Sequence, residues 1–322
     1  MFSIPVGSMA DTRAARLPVS GSMATMKNAR PGSARLLALV ATLAVSSAGA
    51  TSEPRWSRLE FSASKFLMTA HAGVGVRERP AAGIVADLLR TPEGRPVQPG
   101  ANVLELAYQM SGFGRESTTT LWADPVTGAS LQQTEIDGGR RPRLRTYRFT
   151  DIGAWHFSRW PATAAEQALA PGHWSERTQG LRAYSPGAVG QPVTSAIMLL
   201  WLASAGNYEQ TGDRGEVLVF SRKQVNRVTI EVAGRRTIRA DYAQRTVAGL
   251  QQRRGNMEVI VIHIHGQPVD PAGGDDPDFE LLGLQGDLEL LLEPVARIPV
   301  QLSGTVKIAG QVTIRLQEAT LR

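Results

Sequence analysis

Two histidines in the C-terminal third of the chain have the clearest potential for metal chemistry. His263 and His265 are separated by one residue in a β-rich run, so both imidazoles lie on one strand face, about 6–7 Å apart at Cα. Two imidazoles at this spacing can bind one metal ion. Asp275, Asp276 or Asp278 in the following loop would supply a third ligand. This set predicts a metal-dependent hydrolase as one alternative function.

The same residues have a simpler structural interpretation. Two half-exposed histidines can end a strand, and the aspartates that follow can form a solvated turn. Because two ligands without a fixed third do not define a metal site, we favour this interpretation and expect no cofactor.

A basic cluster marks the next candidate site. Arg140, Arg141, Arg143 and Arg145 follow an Asp-Gly-Gly turn signal, which places them at a hairpin tip or at the start of a strand. One hypothesis is contact with anionic membrane components, such as phosphorylated lipid headgroups. The alternative, which we favour, is a charged hairpin that resists edge-to-edge pairing.

A set of apolar side chains in the central part of the chain could line a groove for a hydrophobic ligand. A curved sheet with such a face can hold an acyl chain, and a short helix inside it or across its mouth would act as plug or lid. Alternatively, helix and sheet fill each other and leave no cavity. The ligand-lining candidates are Trp122, Trp155, Phe157, Ile197, Met198, Trp201 and Leu202.

Signatures of common catalytic sites are missing from the sequence. It has no Gly-x-Ser-x-Gly elbow, no His-Glu-x-x-His, no P-loop and no dinucleotide fingerprint. Catalytic groups can still meet in space without a local motif, because triads are defined by geometry. The sequence nevertheless favours a protein that is not an enzyme.

The N-terminal segment predicts export. Residues 26–50 combine a basic start, an apolar stretch and the Ala48-Gly-Ala50 cleavage pattern of a signal peptide. The apolar stretch is shorter than the ~20 residues that a membrane-spanning helix needs. We therefore expect a periplasmic protein without a membrane span that begins near Thr51. Residues 1–25 fit neither a signal nor a folded segment, and we interpret them as a spurious extension.

Composition narrows the class of partner. Five of the 35 basic residues and one of the 29 acidic residues lie within residues 1–50, which leaves the mature chain a net charge of about +2. That balance gives no argument for a nucleic-acid partner. The chain has no cysteine, so disulfides, thiol catalysis and lipidation of cysteine are excluded.

Alternation of apolar and polar residues predicts a mainly β fold. Segments with period two, separated by turn residues, indicate half-buried antiparallel strands, and the clearest pair forms a C-terminal hairpin with a bulge or bend at Gly304. Residues 51–322 are predicted to form one domain, a strongly curved antiparallel sheet. The predicted strands are Leu59–His71, Asn102–Met110, Thr118–Ala123, Ser130–Ile136, Leu144–Thr150, Ala154–Arg159, Val217–Phe220, Gln224–Val232, Arg236–Tyr242, Glu258–His265 and Gly286–Leu292.

One uncharged run departs from the strand pattern. Residues 195–204 read Ser-Ala-Ile-Met-Leu-Leu-Trp-Leu-Ala-Ser, with Thr194 or Ser195 as a predicted N-cap and Gly206 as the stop signal. Ten helical residues span about 15 Å, half of a bilayer core. Because the run is apolar all round, we expect a small helical insertion near 192–206 that the curved sheet covers.

Several of these segments resemble a family of bacterial exported domains of unknown function. In that family a Trp/Leu-x-x-Asp/Glu-x-x-Arg-x-Pro-Val stretch leads into the closing strand pair, as residues 291–302 and 303–316 do here. Residues 191–200 are similar to the family's helix, with Gln191 in place of its usual Asp, and 121–128 are similar to an earlier strand and turn. The resemblance covers about residues 55–322. It implies a curved half-barrel similar to the periplasmic lipoprotein carriers of the LolA and LolB type.

Together these observations lead to three functional hypotheses. The first is a non-enzymatic periplasmic protein that binds or carries a hydrophobic, lipid-like ligand in the groove of the sheet. The second is an envelope scaffold that binds a protein partner through an exposed edge strand or an apolar patch. The third is the metal-dependent hydrolase centred on His263 and His265.

Overall fold

A single large sheet of sixteen strands contains most of the chain, which confirms the mainly β prediction. The computed structural model describes residues 54–65, 68–112, 115–270, 279–307 and 309–322. All of these residues belong to one compact unit. The predicted signal peptide and the extension before it lie outside the described residues.

The N-terminal half of the sheet is a meander. Each strand pairs antiparallel with the next in sequence, because short turns bring only antiparallel partners side by side. Short 3-10 helices at Ala81–Gly83 and Val85–Asp87 follow the second strand, and α1 (Ala164–Gln167) and a 3-10 helix at Pro171–His173 precede the eighth. The strands are β1 (Trp56–Lys65), β2 (Met68–Pro80), β3 (Asn102–Gly112), β4 (Arg115–Ala123), β5 (Ser130–Asp137), β6 (Arg143–Phe149), β7 (Gly153–Trp160) and β8 (Glu176–Ala183).

The C-terminal half contains the interior helix and the longest strands. A 3-10 helix at Pro186–Ala188 leads into it from β8. Its elements are β9 (Val193–Ser195), α2 (Met198–Ala205), β10 (Arg214–Ser221), β11 (Gln224–Thr246), β12 (Gly249–Pro268), β13 (Glu280–Leu281), β14 (Leu284–Glu293), β15 (Ile298–Val306) and β16 (Gly310–Leu321).

The last strand joins the two halves of the sheet. β16 pairs antiparallel with β1 along one side; on its other side its first half pairs with β15 and Glu318–Thr320 pair in parallel with Ala243–Arg245 of β11. The pairings β16–β15–β14–β12–β11–β16 therefore close a ring of five strands. β9 pairs with β10 in parallel as well. The sheet is thus antiparallel with two parallel pairings, which alternation along a single strand cannot reveal.

One predicted break between strands is wrong and one predicted bulge is confirmed. Gln224–Val232 and Arg236–Tyr242 are predicted as separate strands, yet β11 runs through Ala233 and Gly234 with a register shift between Val232 and Gly234. Gly234 has φ +148°, which suits a bulge and not a reversal. At Gly304 the pairing with β16 is regular, but the pairing with β14 is shifted, which confirms the irregularity predicted there. A Cβ at Gly304 would lie 2.4 Å from Leu288 Cδ2, so the close approach of the two strands requires glycine there.

The interior helix is α2, three residues later than predicted. Seven of its eight residues are buried, and it packs against the concave face of the sheet in one continuous apolar core. Thr194 and Ser195 are not N-caps, because they belong to β9. Gly206 ends the helix as predicted, and its N–H donates to the Leu202 carbonyl at 2.9 Å. No helix among the described residues is long and apolar enough to cross a membrane.

Candidate functional site

The concave face of strands β3 to β6 carries a polar row that lines a large cavity. Strand register places Tyr108, Thr119, Glu135 and Arg145 side by side across four adjacent strands. Side chains two residues apart on a strand share a face, so the rows two residues before and two residues after this one also face inward. The cavity above these rows has a volume of about 820 Å³.

The opposite wall of this cavity comes from the C-terminal half of the chain. It consists of Ser195–Ile197, which lead from β9 into α2, Phe220–Arg222 at the turn after β10, and Glu280, Leu282 and Gly283 around β13. The site therefore depends on the curvature of the sheet, because neither wall forms without the other.

Ion pairs and hydrogen bonds fix the floor of the cavity. Arg145 Nη1 lies 2.5 Å from Asp137 Oδ2 and 3.4 Å from Glu135 Oε2. Gln133 Nε2 donates to Glu135 Oε1 at 2.5 Å, and Ser195 Oγ donates to Gln133 Oε1. The network thus connects β6 and β5 with β9 across the cavity. Its charged groups are arranged before any ligand arrives.

Two tyrosines add hydroxyl groups to the lining. Burial raises the pKa of Tyr108 far above its ordinary value, and the nearby Glu280 carboxylate raises it further. Burial, followed by the charge of Glu135, raises the pKa of Tyr147 to about 12. Both phenols are therefore protonated at neutral pH and can donate hydrogen bonds to a ligand.

A buried histidine lies beneath Tyr147. The His156 ring is 5.1 Å from the Tyr147 ring, centroid to centroid. Burial, aided by the positive charges of Arg182, Arg145 and Arg143, lowers the pKa of His156 to about 4. His156 is therefore neutral at neutral pH and contributes packing, not charge, to the site.

Three of the four arginines of the predicted basic cluster line this cavity. They are Arg140, Arg141 and Arg145. Arg143 instead places its guanidinium 4.7 Å from the centroid of the Trp160 ring. The structure thus gives the cluster a location that the sequence did not indicate, at the rim of a cavity.

The helical members of the apolar set occupy three environments. Ile197 lines the large cavity, and Leu202 lines the second cavity, which has a volume of about 470 Å³. Met198 and Trp201 are buried in the core. Trp201 meets Trp56 edge to face, with ring centroids 6.1 Å apart. Core packing therefore accounts for part of the set.

The strand members of the apolar set lie on the convex face. Trp155 and Phe157 share one face as predicted, but His156 between them pairs with Tyr147 on the concave side, so they point outward. Trp122 donates Nε1–H to Glu105 Oε2 at 3.0 Å on the convex face. None of the three lines either cavity. Period two identifies a shared face but does not tell which face is concave.

The two candidate metal-binding histidines are exposed on the convex side of β12. His265 Nδ1 hydrogen-bonds to Asp287 Oδ1, and Gln267 Nε2 is 3.2 Å from His265 Nε2. Within the described part of the chain, no three His, Asp or Glu side chains form a group that could hold a metal. The proposed third ligands, residues 275, 276 and 278, lie outside it. The metal site therefore stays a prediction, which metal analysis of protein with and without H263A and H265A would test.

Arg297 is the side chain that sequence reasoning missed. Its buried guanidinium donates to four backbone carbonyls at the end of α2: those of Ala203 (3.2 Å), Ser204 (3.0 Å), Gly206 (2.5 Å) and Tyr208 (3.0 Å). A cation there satisfies carbonyls that the helix leaves free. The signal was visible, because Arg297 is the one charged residue between Glu293 and Lys307.

The geometry of the large cavity suits binding. Its one buried hydroxyl nucleophile candidate, Ser195, donates to the amide oxygen of Gln133, and an amide is not a general base. Phenols, guanidinium groups and carboxylates surround an open volume of the size that small-molecule sites have. No family model, curated protein or solved structure matches this chain.

Proposed function

We propose that this protein is an exported, non-enzymatic binding or carrier protein whose ligand is lipid-like and lies in the large concave cavity. The observation that supports the proposal most directly is the cavity of about 820 Å³ between the row Tyr108–Thr119–Glu135–Arg145 and the α2 side of the sheet. Ligand sites in proteins have volumes of roughly 300–1,000 Å³.

The lining favours an amphiphile over a pure hydrocarbon. Apolar contacts are available from Met110, Ile197, Phe220 and Leu282. The remaining lining carries charges and hydroxyl groups, which a hydrocarbon would leave without partners. A ligand with an apolar segment against the four apolar side chains and a polar head against the charged and hydroxyl groups satisfies both parts of the lining.

The interior helix acts as a permanent plug in this proposal. Trp56 Nε1–H donates to Ser204 Oγ at 3.1 Å, and Arg297 holds the last carbonyls of the helix. A helix attached at its end to both the first strand and the β14–β15 turn is not free to swing as a lid. The ligand therefore occupies the mouth of the sheet and not its centre.

Periplasmic location is part of the proposal and depends on the sequence. The signal-peptide pattern at residues 26–50 supports export, as does the resemblance to exported domains with a carrier-like half-barrel. Proteomic mapping of the mature N-terminus to a position near Thr51 would test it.

Co-purification and one matched pair of variants test the ligand proposal. Protein isolated from its native envelope is expected to carry lipid that mass spectrometry detects, and a fluorescent fatty acid is expected to bind it. T119W fills the cavity from its floor and should weaken binding at least ten-fold. T118W lies on the exposed opposite face of the same strand and should bind as the parent does. Clean extracts and no probe binding overturn the proposal.

An edge strand supports the scaffold alternative. β8 pairs only with β7 among the described strands, and none of its eight residues is buried. Such an edge can accept a strand from a partner. A photo-crosslinker at Gln179 would then capture one discrete partner in cells, whereas the same group at Gln317 would not. Absence of a discrete product removes this alternative.

A further inference from the structure

The charged groups of the large cavity divide into those that pair with one another and those that do not. Arg145 pairs with Asp137 and Glu135, and Arg222 Nη2 lies 4.0 Å from Glu135 Oε2. These contacts compensate the charges at the floor. Such groups position a ligand but do not favour either sign of charge strongly.

Three further charged side chains line the cavity without an ion pair to any described residue: Arg140, Arg141 and Glu280. All three are exposed. Glu116 also reaches the rim, but it shares the outward face of β4 with Thr118. A ligand with a single charge would meet attraction from one kind of side chain and repulsion from the other.

The two arginines are held in place on one rim. The Gly138 N–H donates to the Glu116 carbonyl at 2.8 Å, and Gln167 Nε2 donates to the Gly139 carbonyl at 3.2 Å. The β5–β6 turn is therefore fixed on both sides just before Arg140. Adjacent guanidinium groups on such a turn suit a phosphate or carboxylate, which accepts several N–H donors at once.

Glu280 lines the opposite wall of the cavity, and Tyr108 lines the facing strand β3. The charge of Glu280 acts on the Tyr108 phenol and also on Arg222, whose guanidinium lies 4.0 Å from Glu135. A carboxylate that shares a cavity with an aromatic ring can bind an ammonium group through charge pairing and the cation–π interaction. The cavity thus offers an anion-binding rim and a cation-binding wall.

We propose that the polar head of the ligand is zwitterionic, with a phosphate or carboxylate at Arg140 and Arg141 and an ammonium group at Glu280 and Tyr108. This inference rests on the proposed function, because it names the headgroup of the same ligand. Phosphoethanolamine and phosphocholine amphiphiles have this chemistry. A head with both charges pairs with Arg140, Arg141 and Glu280 together, whereas an anionic head leaves Glu280 unpaired and a cationic head leaves the two arginines unpaired.

Calorimetric titration with four single-chain probes of equal chain length tests the headgroup. The probes are lysophosphatidylethanolamine, lysophosphatidylglycerol, an alkyltrimethylammonium salt and an alkyl maltoside. The zwitterion is expected to bind at least ten-fold more tightly than the other three. Because T119W blocks the cavity, it should weaken all four probes alike.

Charge reversal on each side separates the two halves of the proposal. R140E with R141E should shift the preference to the cationic probe, and E280K should shift it to the anionic probe. The control is R253E with R254E, which reverses two adjacent arginines on β12 outside the cavity. It should keep the zwitterion preference.

The outcomes distinguish the two proposals. If all four probes bind equally and T119W weakens them, the cavity binds amphiphiles and the zwitterion inference is wrong. If the zwitterion preference survives both charge reversals, the three charged side chains do not carry it and the inference is again wrong. If no probe binds, the proposed function and the zwitterion inference both fail.

Discussion

Arg297 is the side chain that fastens the interior helix to the sheet. It follows Glu293, whose carboxylate accepts the Val295 and Ala296 N–H groups and so forms the turn that presents Arg297. Arg297 itself has φ +57°, in the left-handed region. A strained position that is nevertheless occupied by a bulky residue indicates that the guanidinium contacts offset the strain.

Replacing Arg297 tests this connection. R297M keeps the length of the side chain but removes the donor of the Ala203, Ser204 and Tyr208 carbonyls, while the Gly206 carbonyl keeps the Tyr208 N–H, so the free energy of unfolding should fall by about 2–4 kcal/mol. Urea unfolding followed by tryptophan fluorescence measures it. R239M, an exposed arginine on β11, is the matched control and should change stability by less than about 0.5 kcal/mol. Equal stability of the two variants contradicts the role of Arg297.

His156 predicts a pH dependence of stability. Its pKa is about 4 in the folded protein and about 6.5 when unfolded. The unfolded state therefore takes up a proton first, and the stability contributed by the neutral ring is complete above pH 6.5 and is lost as pH falls towards 4. H156Q should show a flatter decline across this window in denaturant titrations at several pH values. A decline as steep as that of the parent contradicts the assignment.

Glu105 affects the stability of the fold at lower pH than His156 does. Burial raises its pKa, but hydrogen bonds from Arg79, Trp122 and Arg77 outweigh burial and lower the pKa below 4.5. The stability that its carboxylate contributes is present above pH 4.5 and is lost as pH falls through the lowered folded value. His156 therefore affects stability as pH falls from 6.5 towards 4, and Glu105 affects it below pH 4.5.

At the scale of elements, α2 behaves as part of the core. Its backbone amides are expected to exchange with deuterium only on global unfolding, as those of the central strands do. Residues 249–256 of β12 have β11 as their only strand neighbour among the described residues and should exchange much faster. Hydrogen exchange with mass spectrometry measures both. Rapid exchange in α2 with slow exchange in the central strands would instead identify a lid.

Much of the strand pattern was predictable from the alternation of apolar and polar residues. The strands that were not predicted lack that alternation or are very short. On β16, buried Ile314 and Leu316 alternate with exposed Arg315 and Gln317, the pattern that period two detects. The predicted bounds of β3, β5 and β14 also lie within a few residues of the observed ones, although part of each strand is buried on both faces. β8 has no buried residue and β9 has only three residues, so neither produces a periodic signal. Leu59–His71 was one predicted strand, whereas the chain reverses between β1 and β2 there.

The candidate site was less predictable than the fold. The cavity combines side chains from β3 to β6 with others from β9, the turn after β10 and β13, up to about 175 residues apart in sequence. Only Ile197, Arg140, Arg141 and Arg145 of the sequence candidates line it. Glu135 and Tyr147 gave no signal, because a polar or aromatic residue at an inward strand position looks like ordinary alternation. Curvature, which decides the facing wall, is a property of the whole sheet.

At the scale of the whole molecule, β16 holds the sheet together. Ala319 is fully buried where β16 lies between β1 and β11. A319D would bury an unpaired carboxylate at this junction and should lower the free energy of unfolding by more than about 3 kcal/mol, or prevent folding. Circular dichroism melting and soluble yield measure this. Q317D lies two residues earlier, where a register shift against β1 leaves Gln317 exposed, and it should melt close to the parent.

The position of β16 also sets the order in which the protein can fold. Besides its hairpin partner β15, it pairs with the first strand, more than 250 residues earlier, and with the end of β11, so contacts of the greatest sequence separation close the structure last. While the chain is being synthesised, the outer edge of β1 has no partner and remains open to wrong pairing. Every newly made molecule therefore passes through a stage with an exposed strand edge, which ends only when the residues of β16 become available.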